Sequence, residues 1–424
     1  MPRSGPALSL VAMLAAFITY CSMYAFRKPF TAGTFEGMTL GGIEYKIILI
    51  TTQVLGYMLS KFIGIKIISE VRPVQRIGYI LGLMGIAWAA LLLFGVTPYP
   101  FNAIWLFVNG LPLGMIWGLV FSFLEGRRNT ELLGAGMSVS FIVSSGLVKA
   151  VGKSLIDSWQ VSEFWMPFLT GLIFVPSLLL GVWLLAQLPP PDTRDITHRT
   201  ARTPMDRQQR GQFFRAFAPG IILLVTVYIT LTIVRDLRDN FAVELWTSLG
   251  YPGTPQILLT AEIPIAVAVF GIIAAMIYIR HNGTAFYANL GIIALGGLLL
   301  MATTYLFEQG HLHPAAWMIL TGFAMYLSYV SFHTMLFERW IAHFQHPGNI
   351  GFLMYTADSF GYLGSVGILF VKHFGTEAQS WLAYISTISY LAGGLTLLLS
   401  LLAWGYFLQR TPQPSPSQAL HEQE

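Results

Sequence analysis

The chain has 424 residues, 55% of them hydrophobic and only 10% charged, with a formal net charge of +4. So few charges cannot cover a soluble surface, and the repeated apolar runs match a hydrocarbon layer about 30 Å thick at about 1.5 Å rise per residue. A closed barrel would need short alternating segments instead, and the single cysteine, Cys21, excludes an intramolecular disulfide or a cysteine-based metal cluster.

In chain order, the apolar runs predict an all-α polytopic membrane protein with twelve spans, at 7–28, 44–68, 76–96, 101–123, 132–156, 164–187, 216–235, 256–279, 285–307, 314–337, 350–372 and 381–408. The first run ends in Arg27-Lys28-Pro29 rather than in a small-residue cleavage site, so it reads as an uncleaved span. Residues 188–215 begin LPPPDTRD and carry Arg194, Arg199, Arg202, Arg207, Arg210 and Arg215. Proline-rich and basic, they read as a cytoplasmic linker between two six-helix bundles, 1–187 and 216–410. The segment 411–424 reads as a disordered tail.

Lysine and arginine set the orientation. With both termini inside, 16 of the 24 basic residues fall on the cytoplasmic side, among them Lys61, Arg72 and Arg76. The exceptions are Arg27, Lys28, Lys46, Lys149, Lys153, Arg235, Arg238 and Lys372. They cluster at the outer ends of spans one, two, five, seven and eleven. All but Lys46 have a counterpart six spans away, as a duplicated six-helix unit would produce. The repeat is visible in detail: Tyr20, Tyr24 and Arg27 share one helical face, and Tyr228, Thr232 and Arg235 repeat that spacing 208 positions later.

Polar stripes mark other spans: Lys46, Gln53, Tyr57 and Ser60 in span two; Ser138, Ser145, Lys149 and Lys153 in span five; Tyr326, Tyr329 and His333 in span ten; Tyr355, Asp358, Tyr362 and Ser365 in span eleven. Converging on one aqueous cavity, they would favour an anionic, hydrogen-bonding solute, because the arginine fork grips two oxygens at once. Plainer readings stand beside this one. Arg27, Lys28 and Lys372 could snorkel to headgroups, and Arg235, Asp236, Arg238 and Asp239 could form a self-neutralising outer loop. Glu262, Asp358 and His333 are candidates for ion coupling, or for simple pairing with buried cations. Gly110, Gly114 and Gly118 predict close helix packing. His343 and His346 lack a third ligand, so no metal site is expected. No phosphate-binding loop, HExxH or GxSxG motif is present, which leaves an ATP-driven pump or familiar hydrolase without support.

These features together resemble the major facilitator superfamily, and within it the organophosphate:phosphate antiporters. That group has RKxF at the end of helix one, here Arg27-Lys28-Pro29-Phe30. It has YGxSKF in helix two, here Gly56-Tyr57-Met58-Leu59-Ser60-Lys61-Phe62, followed by Glu70, Arg72 and Arg76. The helix-two segment carries one extra residue before Ser60, Glu70-Val71-Arg72 replaces the usual Asp-Arg, Arg280-His281-Asn282 is too short to match its counterpart loop, and Asn240-Phe241-Ala242 replaces Trp-Ser-Pro after helix seven. The resemblance implies that Arg27 and Arg235 bind a phosphate group, one from each half.

The sequence thus predicts a monomeric secondary transporter of a small organic anion in a cytoplasmic (inner) membrane, with no cofactor and no nucleic-acid partner. The expected binding residues are Arg27, Arg235, Lys149, Tyr24, Tyr57 and Tyr228, and the expected coupling residues are Glu262, Asp358 and His333. A ligand sensor on the same fold is the alternative. An intramembrane enzyme would need a nucleophile–base or metal constellation that the sequence does not assemble.

Overall fold

The computed structural model describes residues 6–124, 130–189, 207–276, 278–344, 350–374 and 380–410. The expected linker arginines Arg194, Arg199 and Arg202, the basic pair Arg127 and Arg128, His346 and the tail from Thr411 lie outside the described residues.

Six long helices form the first half: α1 (Pro6–Tyr24), α2 (Tyr45–Glu70), α3 (Arg76–Val96), α4 (Ala103–Phe121), α5 (Thr130–Asp157) and α6 (Met166–Ala186). Six more form the second: α7 (Arg207–Asn240), α8 (Glu262–Met276), α9 (Asn282–Glu308), α10 (Pro314–Ser331), α11 (Ile350–Phe374) and α12 (Trp381–Leu408). Among the described residues, eleven helical segments are long and apolar enough to cross a membrane. The remaining predicted span is α11, a helix of 25 residues carrying Asp358 and Lys372.

The packing repeats with a shift of six helices. In the first half α1 lies against α5 and α6, α4 against α2 and α3, and α3 against α6. In the second, α7 lies against α11 and α12, α10 against α8 and α9, and α9 against α12. The halves meet along two matching seams, α2 with α11 and α5 with α8. This pseudo-symmetry leaves α1 and α7 facing one another across the interior.

Close approach between helices is built from glycine. A Cβ on Gly56 would stand 2.2 Å from the Phe107 carbonyl, and one on Gly110 would stand 2.3 Å from the Gln53 carbonyl. The α2 and α4 backbones therefore touch where these two residues face each other.

Several boundaries differ from expectation. The hydropathy carries the first span to 28, but α1 stops at Tyr24. A helical Pro29 would drive its ring into the carbonyl four residues earlier. The chain instead passes through tight turns, with the Arg27 amide bonded to the Tyr24 carbonyl at 3.0 Å, into a short 3₁₀ helix at Pro29–Ala32. A small hairpin, Thr39–Leu40 with Ile43–Glu44, follows; Gly41 and Gly42 both take positive φ, as its tight turn requires. The end of the predicted linker is helical: α7 begins at Arg207 and breaks at Phe217, two residues before Pro219. Span ten continues beyond α10 through a π turn, Phe332–Leu336, into a further helix, Phe337–Phe344.

Candidate functional site

Between the halves lies a cavity of about 130 Å³. Its lining includes Tyr20, Tyr24, Arg27, Tyr57 and Lys61 from the first half, and Arg235, Tyr329, His333, Asp358 and Tyr362 from the second.

Arg27 is delivered to it by the early end of α1. Stopping the helix frees backbone carbonyls that need donors. Gln53 Nε2 supplies one to the Arg27 carbonyl at 2.8 Å, and Asn109 Nδ2 supplies another to the Phe26 carbonyl at 2.9 Å. Gln53 and Asn109 are themselves joined at 2.8 Å, and Asn109 also donates to the Ala87 carbonyl. The turn is thus fixed by α2, α3 and α4 together.

The Arg27 side chain is only 5% exposed, so it does not snorkel to headgroups. Its guanidinium carbon lies 3.7 Å from the centre of the Tyr57 ring. Among the described residues it makes no ion pair and donates no hydrogen bond, and its Nε is a buried donor without a partner. A stacked ring returns about 2 kcal/mol when desolvated. Burying an ion costs several. The guanidinium is therefore undersatisfied, with its open nitrogens toward the cavity.

Arg235 is placed differently. It remains on the regular helix α7, binds Asp236 Oδ1 at 2.8 and 3.0 Å, and donates to the Tyr329 hydroxyl. Its guanidinium lies 5.6 Å from the Tyr362 ring centre and that of Arg27 lies 5.9 Å from it, so this tyrosine stands between the two arginines. Tyr329 lies 2.9 Å from the Tyr228 hydroxyl, which donates to Asp358, and Asp358 pairs with Lys61 at 3.1 Å. A hydrogen-bonded chain therefore runs from Arg235 to Lys61 across the seam. His333 joins it through Nε2, 2.9 Å from Tyr228, and its buried Nδ1 has no partner among the described residues. The π turn places this histidine, as such turns often do at functional positions.

A second set of ion pairs lies beyond Arg27, at the face opposite the chain ends. Asp239 of α7 takes Lys28 at 2.6 Å and Lys149 at 2.7 Å, and it also accepts from Ser145. Lys28 further donates to Asn240 at 2.8 Å, and Lys46 pairs with Glu244. These contacts join the two halves and close that face.

The structure brings together Arg27, Arg235, Tyr24, Tyr57, Asp358 and His333 on the cavity. Three expected residues stand elsewhere. Lys149 is not on the lining, because Asp239 holds it. Tyr228 lies behind the lining, bonded to Asp358. Glu262 is bound by Arg238 at 2.8 Å, away from the cavity. The residues after Arg235 are not an outer loop: Asp236, Arg238 and Asp239 are buried on α7, and two of the three pair with other helices. Lys61, counted with the cytoplasmic set, is buried on α2. Lys372 stands at a helix end, 4.0 Å from the Trp381 ring centre, as an anchor would. Asn109 was missed: a lone asparagine in an apolar span signals a buried bond, but nothing in the sequence names its partner.

The comparisons with known proteins agree with this architecture. The model of a family described as a family of unknown function (DUF5690) matches residues 29–410, and the chain belongs to that family. No curated protein matches it. Among solved structures, it is similar to a D-xylose-proton symporter, with 14% identity, a TM-score of 0.55 and coverage of 94% of this chain and 97% of the other. It is similar to a mutant form of the nucleoside transporter NupG, with 11% identity, a TM-score of 0.60 and coverage of 94% and 100%. It is also similar to the human organic anion transporter MFSD10 (TETRAN), with 16% identity, a TM-score of 0.57 and coverage of 94% and 100%. The chain shares the fold of these three solved transporters: all-α, in two pseudo-symmetric six-helix bundles.

Proposed function

We propose that this protein is a secondary transporter of a small organic anion, working by alternating access between two rocking bundles. The observation that carries the reading is Arg27, a buried guanidinium with no carboxylate and no hydrogen-bond acceptor among the described residues, open to a cavity between the halves. An incoming carboxylate or phosphate supplies the missing acceptors. Arg235 contributes from the other half, and Tyr24, Tyr57 and Tyr362 can donate hydroxyls. The resemblance of Arg27-Lys28-Pro29-Phe30 to the organophosphate antiporters favours a phosphorylated solute as one form of that anion.

The pairs at Asp239 would open when the far face opens, and the Lys61–Asp358 pair when the face bearing the chain ends opens. Asp358, with Tyr228 and His333, is the group best placed to exchange a proton, since it already links both halves. Glu262, fixed by Arg238, serves structure in this reading. The protein works as a monomer in a cytoplasmic membrane with both termini inside, and it catalyses no covalent chemistry.

The test is uptake into proteoliposomes of inorganic phosphate, glycerol 3-phosphate and benzoate, by the wild type and by Arg27→Ala and Arg235→Ala. Uptake of at least one probe that both substitutions abolish is the expected result. Equal uptake by all three proteins removes the anion clamp. Binding without flux favours the sensor.

A further inference from the structure

The cavity is divided by chemistry. Toward the far face it offers Arg27, Lys28 and Arg235 with tyrosine hydroxyls, beside the paired carboxylates Asp236 and Asp239. Toward the face bearing the chain ends, a run of aromatic rings lines it beside the charged groups Lys61, Asp358 and Glu338. Trp117 and Phe121 are stacked, with centroids 4.9 Å apart and planes at 7°. Phe141 meets the His333 ring edge-on at 5.3 Å, and Trp117 lies 6.4 Å from the same histidine. Phe141 also contacts Tyr20 at 5.4 Å, so the aromatic wall continues up to the tyrosines beside Arg27. Trp117 is partly exposed and lines this space, and its indole Nε1 has no partner among the described residues.

Against the rings themselves, a planar aromatic body gains edge and face contacts that a saturated one does not. Size narrows the choice. A cavity of about 150 Å³ lined by apolar side chains holds one benzene. The space here, about 130 Å³, is likewise of single-ring size.

We infer that the anion is an aryl anion: a carboxylate or phosphate head held by Arg27, attached to one aromatic ring that lies among Trp117, Phe141 and His333. Trp117 and Phe141 are then specificity-determining residues. This rests on the proposed anion site and names the body of its ligand.

Four probes separate the two ideas: benzoate, cyclohexanecarboxylate, phenyl phosphate and cyclohexyl phosphate. They cross ring type with head type at nearly constant size. Thermal stabilisation of the purified full-length protein, titrated with each probe, gives the affinities. Each aromatic probe is expected to bind about tenfold more tightly than its saturated partner, whichever head is preferred. Trp117→Ala is expected to reduce that ratio toward one, and Trp117→Phe to keep most of it. The wild-type ratios alone decide the proposal if Trp117→Ala fails to fold. Equal affinity within each pair, or a preference for the saturated ring, overturns the aryl body while leaving the anion site standing. No stabilisation by any of the four probes, with Arg27→Ala indistinguishable from wild type, overturns both.

Discussion

The two arginines that the sequence relates by a shift of 208 positions end up in unlike states. Arg235 stays within the helical stretch of α7 that follows its break at Phe217, and it is neutralised by its neighbour Asp236. Arg27 follows a helix that has already stopped, held on a turn by Gln53 and Asn109, and among the described residues it has no counter-ion. The difference comes from Pro29, which ends α1, and from the acidic residue that follows Arg235 where Lys28 follows Arg27. One half therefore contributes a settled charge and the other a charge waiting for a partner. A pseudo-symmetric fold can thus make an asymmetric site without departing from its helix arrangement.

The two arginine regions are joined by Asp239, and its loss is expected to have the largest effect. Asp239→Ala leaves Lys28 and Lys149 buried without a carboxylate, and removing one partner of a buried pair costs about 3–5 kcal/mol. Thermal unfolding in detergent measures it. A melting temperature equal to that of wild type would mean that the two lysines find water or other acceptors, and that the far face is not closed by this group.

The arginines themselves give the sharper contrast. Arg27→Ala removes an unpaired charge, so the protein without ligand should be as stable as wild type or more so, while anion affinity falls by about 1.5–3 kcal/mol, the value of a charged hydrogen bond. Arg235→Ala leaves Asp236 buried and alone, so it should lower the melting temperature as well as the affinity. If both substitutions destabilise equally, the unlike states of the two arginines do not survive in the membrane.

Much of this was legible in the sequence, and the parts that were not have physical reasons. Run length and hydropathy gave the spans, because a bilayer imposes one length on every helix. The 208-position echo gave the pairing of Arg27 with Arg235. The places of Lys149 and Glu262 were not legible, because a charge in a span looks the same whether it faces a cavity or a counter-ion on another helix. Asp239 decides the first and Arg238 the second, and each bond crosses between helices. The π turn at Phe332–Leu336 has no recognisable composition, yet it brings His333 to the cavity wall.

The support beneath Arg27 offers a smaller test. A Cβ at Gly110 would meet the carbonyl of Gln53 at 2.3 Å, and Gln53 is the residue that caps the Arg27 turn. Gly110→Ala should therefore push α2 from α4 and cost about 1–3 kcal/mol as an overpacked contact. Because the displaced residue is Gln53, anion affinity should fall with stability. Lost stability with unchanged affinity would show that the turn does not depend on this seam.

Asn109→Ala should act more on the site than on the fold. It strips donors from the Phe26 and Ala87 carbonyls and an acceptor from Gln53, each on a different helix or turn. An unsatisfied buried carbonyl costs about 1–3 kcal/mol, and water entering from the cavity would return part of that. Gln53 then remains the one side-chain donor to the Arg27 turn among the described residues, so the turn gains freedom that α7 never gives Arg235. Anion affinity should drop by several-fold with little change in melting temperature, and Arg27→Ala in the same background should add less than it does alone, since both act on one guanidinium. Additive losses would place Asn109 outside the machinery that aims Arg27, and the contrast between the two arginines would then rest on Pro29 and the missing carboxylate alone.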